Sequence, residues 1–331
     1  MSEIITEPAP GIFQIHIPIP HNPLREGNAY FLRGNAAHGD LLVDTGFKMP
    51  ECREVLEKAL TQLGADRTRL RVLCTHMHAD HCGLADEFAG PEGPIYMSAR
   101  DLVFWKDFRT GTLQTDRAAR YATEGMPEDI LNRLGRTGGA YPLSMSTDDA
   151  RLTGVPEGGS VRAGDRELRL ILVPGHTPGN SMYYIEEEQI LFTGDHVLFD
   201  ITPNITYWPG QENPLRDYLE SLRRVRDIPV RLALPGHRES GDYRARVDEL
   251  LESHRMRLAE VESILQEEPG LSAFEVTRQM HWRVRAAAWK DVPDRHKWFA
   301  FGEGLAHLDY LCAAGRVRRE LTDGTWRYYA L

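Results

Sequence analysis

Cysteine is scarce: four residues in 331 (Cys52, Cys74, Cys82 and Cys312), too few and too scattered for a disulfide framework. That scarcity fits a reducing compartment. No apolar run reaches the roughly 18 residues needed to cross a bilayer, and the first residues, MSEIITEPAPGIFQI, lack a basic stretch followed by an apolar one. The expected location is therefore the cytoplasm, with no membrane partner. Net basic charge is missing too. A formal charge of −10 argues against a protein whose main task is to hold phosphate backbones. Residues 271–331 depart from this balance, with ten Lys and Arg against seven Asp and Glu.

What is present reads as one large domain followed by a smaller one, with expected boundaries at 1–240 and 241–331. GIFQIHIPIP, NAYFLRG and GDLLVDTG look like successive strands, and PECREVLEKALTQLG like an amphipathic helix stopped by Gly64. Residues 98–150 turn helical and irregular, the pattern of an insertion or lid. Strands resume at SVRAG, LRLILVPG, MYYIEEE and QILFTGD, and a helix capped by Asn213 with Pro214 at its first position precedes the strand VRLALPGH. Beyond 240 the expected elements are a long helix over 243–267, a second opened by the capping box Ser272-x-x-Glu275, a third over 298–314, and two strands around an Asp-Gly turn. Three helices and a hairpin outline a winged-helix-like module.

The stretch THMHADHCG places His76, His78, Asp80 and His81 directly after the strand LRVLCT. Three further strand ends carry residues able to bind a metal: His176 in VPGHTPG, Asp195 in FTGDH and His237 in LPGH. Each stands beside a glycine. Together these seven residues supply five imidazoles and two carboxylates, enough for two adjacent ions that keep positions open for water. The mixed nitrogen and oxygen set suits Zn2+, and Mn2+ or Fe2+ would also accept it. Two such ions sharing a water would make a hydroxide nucleophile at neutral pH, so no serine or cysteine nucleophile is required.

In motif order over about residues 10–240, the chain resembles the metallo-β-lactamase-fold hydrolase superfamily, from Asp44 in VDTG through the THMHADHCG cluster, His176 and Asp195 to His237. The resemblance implies an α/β fold, a four-layer αββα sandwich. It also implies that His76, His78 and His176 hold one metal, that Asp80, His81 and His237 hold the other, and that Asp195 bridges them. Asp80, Asp195 and Asp44 are the expected catalytic carboxylates, Asp44 by orienting a ligating histidine. Aspartate rather than cysteine at 195 sets this donor set apart from the B1 and B2 β-lactamases. His196, Asn28 and Tyr30 are candidates to support the ligands or touch substrate; for each, packing is the competing explanation.

The C-terminal region resembles the winged-helix-like α+β domain of one branch of that superfamily, the branch of the β-lactamase-like protein 2 and hydroxyacylglutathione hydrolase-like proteins. Its third helix, WFAFGEGLAHLDYLCAAG, carries only Glu303 and Asp309 as formal charges, which argues against sequence-specific DNA binding and for a packing surface, on the first domain or in a homodimer. Arg316, Arg318, Arg319 and Arg327, interleaved with Trp326, Tyr328 and Tyr329, could hold RNA or coenzyme A phosphates. A solvated, charge-protected edge is the competing and favoured explanation. Thioester hydrolysis of acyl-CoA or acylglutathione type ranks first, since a thiolate with a pKa near about 8.5 leaves without a strong general acid. Single-stranded RNA cleavage ranks second and lactone or ester hydrolysis third. An inactive binding or regulatory protein would be marked by missing donors, and all seven are present.

Overall fold

The computed structural model describes residues 4–20, 24–135, 143–146, 150–282 and 288–331. The chain opens as a meander: β1 (Ile5–Ala9), β2 (Ile12–Pro18), β3 (Glu26–Leu32) and β4 (Leu41–Val43) pair antiparallel in turn. Helix α1 (Pro50–Gln62) crosses over to β5 (Arg71–Leu73), parallel to β4. Two short helices, α2 (Ala79–Cys82) and α3 (Ala85–Phe88), lead to β6 (Ile95–Ser98). Then α4 (Ala99–Thr110), α5 (Thr112–Thr123) and α6 (Glu128–Gly135) precede β7 (Leu152–Val155), which completes a seven-stranded sheet in sequence order.

The second sheet has five strands, β8 (Ser160–Ala163), β9 (Arg166–Leu172), β10 (Ser181–Ile185), β11 (Ile190–Gly194) and β12 (Leu232–Pro235), with α7 (Pro214–Val225) between the last two. The chain ends in α8 (Tyr243–Glu267), α9 (Ala273–Gln279), α10 (Asp294–Ala313) and the hairpin β13 (Val317–Thr322) and β14 (Thr325–Ala330). Asp323 and Gly324 form its turn with φ of 50° and 78°, the left-handed pair such a tight hairpin requires.

Period-two burial explains the layers. Ile12, Tyr30 and Leu32 of the first sheet meet Leu168, Leu170, Tyr183 and Phe192 of the second in one core between the sheets. Behind the first sheet, α1 lays Leu56, Ala59 and Leu60 against Ile15, Phe31 and Leu42. Behind the second, α7 lays Leu215, Leu219 and Leu222 against Met182 and Leu191. Helix, sheet, sheet, helix is the expected αββα order. Strands β10 and β11 are buried along their whole length, covered on both faces, which is why SMYYI and ILFTG show no polar alternation.

The core under α7 does not stop at residue 240. It continues through Val247 and Leu250 of α8, Phe301, Leu305 and Leu308 of α10, and Tyr328 of β14. With burial of each such side chain stabilising by about 1.5–3 kcal/mol, the two regions are fused through a shared interior. The expected insertion is tied to the same end of the chain: Arg120 on α5 pairs with Asp309 on α10 at 2.9 Å, and Tyr328 Oη donates to the buried Glu124 at 2.7 Å. Residues 136–142 and 147–149 of that segment lie outside the described residues. Helix α10 begins four residues before the expected start, because its first turn, Asp-Arg-His-Lys after Pro293, is polar and gives no apolar signal.

Candidate metal centre

The carboxyl ends of β4, β5, β9, β11 and β12 meet at one edge of the sandwich, and each delivers part of the site. Beyond β4, Asp44 adopts a left-handed backbone (φ 59°). After β5 come His76 and His78, then Asp80 and His81 in the single turn of α2, which starts just after His78. His176 follows β9, Asp195 follows β11, and His237 follows β12. The glycine before His237 is there for space: a Cβ on Gly236 would lie 2.4 Å from Asp195 Oδ1 and 2.7 Å from His81 Cε1.

Three sets of donors converge within 4.8 Å: His76 with His78 and His176, His76 with His81 and Asp195, and Asp80 with His81 and His237. The rings are held from outside. Thr75 Oγ1 donates to Asp44 Oδ2 (2.8 Å), so its lone pair accepts from His76 Nδ1 (3.1 Å) and leaves His76 Nε2 bare. His176 Nδ1 donates to the Asn204 carbonyl (2.9 Å), His81 Nδ1 to Asp44 Oδ2 (2.8 Å) and His237 Nδ1 to the Glu26 carbonyl (3.0 Å). Their Nε2 atoms therefore also face inward, as lone pairs whenever the rings are neutral.

Such an interior is unfavourable without a cation. His78 Nδ1 lies 3.0 Å from His76 Nε2 and 2.9 Å from His176 Nε2, and one proton cannot satisfy three converging nitrogens. Asp195 Oδ1, buried, has no hydrogen-bond partner. Burial, with the neighbouring imidazoles, pushes His76 well below its ordinary range and His78 down to about 3. The other half behaves in the opposite sense. There burial opposes the charged form, yet the carboxylates of Asp195, Asp44 and Asp80 hold His81 well above its ordinary range, and Asp195 with Asp80 lifts His237 to about 10. Asp195 is held well below the carboxylate range by His237 and His81, against its burial. Protons collect where positive charge is wanted, and the donor set fits divalent metal binding.

Asn28 and Tyr30 both brace the segment carrying His237. Asn28 Nδ2 donates to the carbonyls of Pro235 (2.9 Å) and Arg238 (2.8 Å), and Tyr30 Oη to that of Pro235 (2.7 Å). His196 is fully buried, its ring edge-on to Tyr218 with centroids 5.0 Å apart, its ring nitrogens unpartnered, and burial pushes it down to about 3. It is a neutral packing side chain. Cys82 is likewise internal, its thiol on the Met77 carbonyl and pushed up to about 12 by burial. The hairpin arginines already have partners: Arg318 lies over Tyr329 and pairs with Glu320, Arg319 lies over Trp326, Arg327 pairs with Glu275 and Arg316 with Glu262.

Three supporting residues escaped the sequence reading. Buried Asp101 accepts from Met77 N (2.9 Å) and Thr177 Oγ1 (2.7 Å) on one oxygen and from Gly179 N (2.6 Å) on the other, clamping the His76–His78 segment to the His176 segment. Ser98 Oγ accepts from Asp101 N, so Ser98-x-x-Asp101 signals a helix start and hides that the carboxylate turns inward. Trp208 donates to the His176 carbonyl (3.0 Å) and stacks on His78 with centroids 5.9 Å apart. Asn204 supplies the carbonyl behind His176. Both lie between β11 and α7, where no periodicity marks them.

A family model described as "Metallo-beta-lactamase superfamily" matches residues 22–237, and one described as "Metallo-beta-lactamase-like, C-terminal domain" matches residues 258–331. The chain is 28% identical over 287 residues to a beta-lactamase-like protein 2 homolog of Caenorhabditis elegans, covering 82% of this chain and 79% of that protein. It is 27% identical over 220 residues to the acyl-coenzyme A thioesterase MBLAC2 of Gallus gallus, covering 63% and 72%. Among solved structures, a beta-lactamase domain protein from Burkholderia ambifaria superimposes with a TM-score of 0.84 at 30% identity, over 99% of this chain and 94% of that one.

Proposed function

Because the chain belongs to the metallo-beta-lactamase superfamily, it is a metal-dependent hydrolase, and we propose that it cleaves thioesters of the acyl-CoA or acylglutathione type with two divalent ions. His76, His78 and His176 would hold one ion, Asp80, His81 and His237 the other, with Asp195 between them. Zn2+ is the proposed metal, and the same donors accept Mn2+ or Fe2+. Ions held there would lower the pKa of a water from about 15.7 towards about 7 and polarise the oxygen of the bond to be cut.

The chain's own residues do the rest. Asp44, Thr75, Asn204 and the Glu26 carbonyl lock four imidazoles with their bare nitrogens inward, so the site is organised before substrate arrives. Asp80, with its side chain 15% exposed, is the most open of the carboxylates Asp80, Asp195 and Asp44.

The leaving group is the observation that carries the thioester reading. The two remaining carboxylates at the cluster, Asp44 and Asp101, have both oxygens engaged by hydrogen bonds, and neighbouring His196 is neutral and buried. Among the described residues, no carboxylate outside the donor set is then free to protonate a poor leaving group, which suits a thiolate and disfavours an alkoxide. The acyl-coenzyme A thioesterase among the relatives supports the same class. Acyl-CoA and acylglutathione thioesters, lactones and single-stranded RNA are to be assayed in parallel, with chelator and with metal restored. Metal-dependent thioester turnover is the expected result. RNA or lactone cleavage without thioester cleavage overturns the proposal.

A further inference from the structure

Glu303 stands in the middle of α10, and its two oxygens face different elements. Oε1 accepts from Arg257 Nε of α8 at 2.9 Å, and Oε2 accepts from Asn204 Nδ2 at 2.8 Å. The backbone carbonyl of that same Asn204 is the acceptor that holds His176 Nδ1 at 2.9 Å. Asn204 Nδ2 also reaches the Phe299 carbonyl, at 3.4 Å, so α10 supplies both acceptors for this amide. The helix comes close enough because the residue before Glu303 is glycine: a Cβ on Gly302 would stand 1.9 Å from Thr206 Oγ1, and the Gly302 carbonyl accepts from Tyr207 N at 3.3 Å.

A ligating imidazole binds well only when its far nitrogen is fixed, since that bond sets the tautomer and the ring plane. For His76 and His81 the fixing groups come from the first domain's own strand ends. For His176 the fixing carbonyl belongs to a segment without regular structure; Arg246 of α8 ties its start through the Leu198 and Ile201 carbonyls, Trp208 ties its end to the His176 carbonyl, and α10 holds Asn204 itself. We infer that Glu303 is a positioning residue for His176, acting through Asn204, so that the C-terminal region completes the His76–His78–His176 site. The inference rests on the two-ion reading above.

The competing explanation is that Glu303 only joins α8 to α10 through Arg257. The test uses the full-length protein, stripped by chelator and titrated with Co2+ against a chromophoric competitor, following the visible absorption of each step. His78→Ala identifies the step that belongs to the His76–His78–His176 group. Glu303→Ala is expected to weaken that step by about 10–100-fold and leave the other within about 3-fold. Asn204→Asp, which sets two carboxylates against each other, is expected to do the same.

The double variant N204D/E303Q then reverses the polarity of the bond: the introduced amide donates to the introduced carboxylate while its oxygen still accepts from Arg257. Its affinity is expected to return to within about 3-fold of the wild type, which a purely structural role would not produce. Unfolding of the metal-free variants separates lost affinity from lost fold. Both steps unchanged in Glu303→Ala, both weakened equally, or a double variant no better than its single parents each overturns the inference. A wild-type protein that takes up one ion sinks the two-ion reading instead, and the same comparison on that single step still decides the role of Glu303.

Discussion

Asp44 Oδ2 accepts from His81 Nδ1 at 2.8 Å while Asp44 itself sits at a φ of 59°, a conformation that Asn and Asp tolerate better than other side chains. Asp44→Asn therefore adds no backbone strain, but it loses the charge and turns an amide N–H towards Thr75 or His81, both donors. Metal affinity of the His81 group is expected to fall by about 10–100-fold with unchanged helix and strand content. Chelator competition measures it, and wild-type affinity in this variant would show that Asp44 is incidental.

Metal analysis of gently purified protein is expected to find about two transition-metal ions per chain. Chelation is expected to abolish hydrolysis, and Zn2+ or Mn2+ to restore it. His78→Ala is expected to lose one ion and about 10²–10³-fold in turnover while still unfolding cooperatively, since His78 lies beyond a strand end and is partly exposed. Loss of cooperative unfolding would make the metal structural.

Among the described residues, Asp101 is the sole hydrogen-bond acceptor for three buried donors on two different segments. Asp101→Ala leaves them unmet, at about 1–3 kcal/mol for each group that finds no water, and a loss on the order of 3 kcal/mol or more is expected in urea unfolding. A loss below about 1 kcal/mol would mean that water replaces the carboxylate.

Tyr328→Phe removes one hydroxyl and nothing else. The buried Glu124, just beyond α5, then keeps its ion pairs with Arg120 and Arg319 and loses its hydrogen bond from the tyrosine, for an expected loss of about 1–3 kcal/mol. Because Tyr328 belongs to the shared core, the whole unfolding curve should move as one. Two separated transitions, with only one displaced, would refute the shared interior.

The donors were legible because they follow strand ends and the later ones stand directly after glycine, so composition, position and chemistry coincide at single residues. The αββα order was legible for the same reason, since period-two strands and period-3.6 helices announce their buried faces. What supports the donors was not. Asn204 and Glu303 are 99 residues apart and meet only after both sheets have closed, and neither lies in a pattern that a local window detects. In the sequence, Glu303 and Asp309 of the third helix look like bars to a phosphate groove. In the folded chain they point inward, Glu303 to Arg257 and Asp309 to Arg120. The expected division at residue 240 reflects a change in composition, which says nothing about whether the core continues beneath it.

That continuity ties metal supply to survival of the whole chain. An ion bound by the folded state alone stabilises it by an amount that grows with the logarithm of its free concentration. With one interior running from β10 to β14, that gain reaches the terminal hairpin as much as the strand ends. A metal-starved molecule would thus be more open to proteolysis along its full length, with no half left standing as a stable fragment.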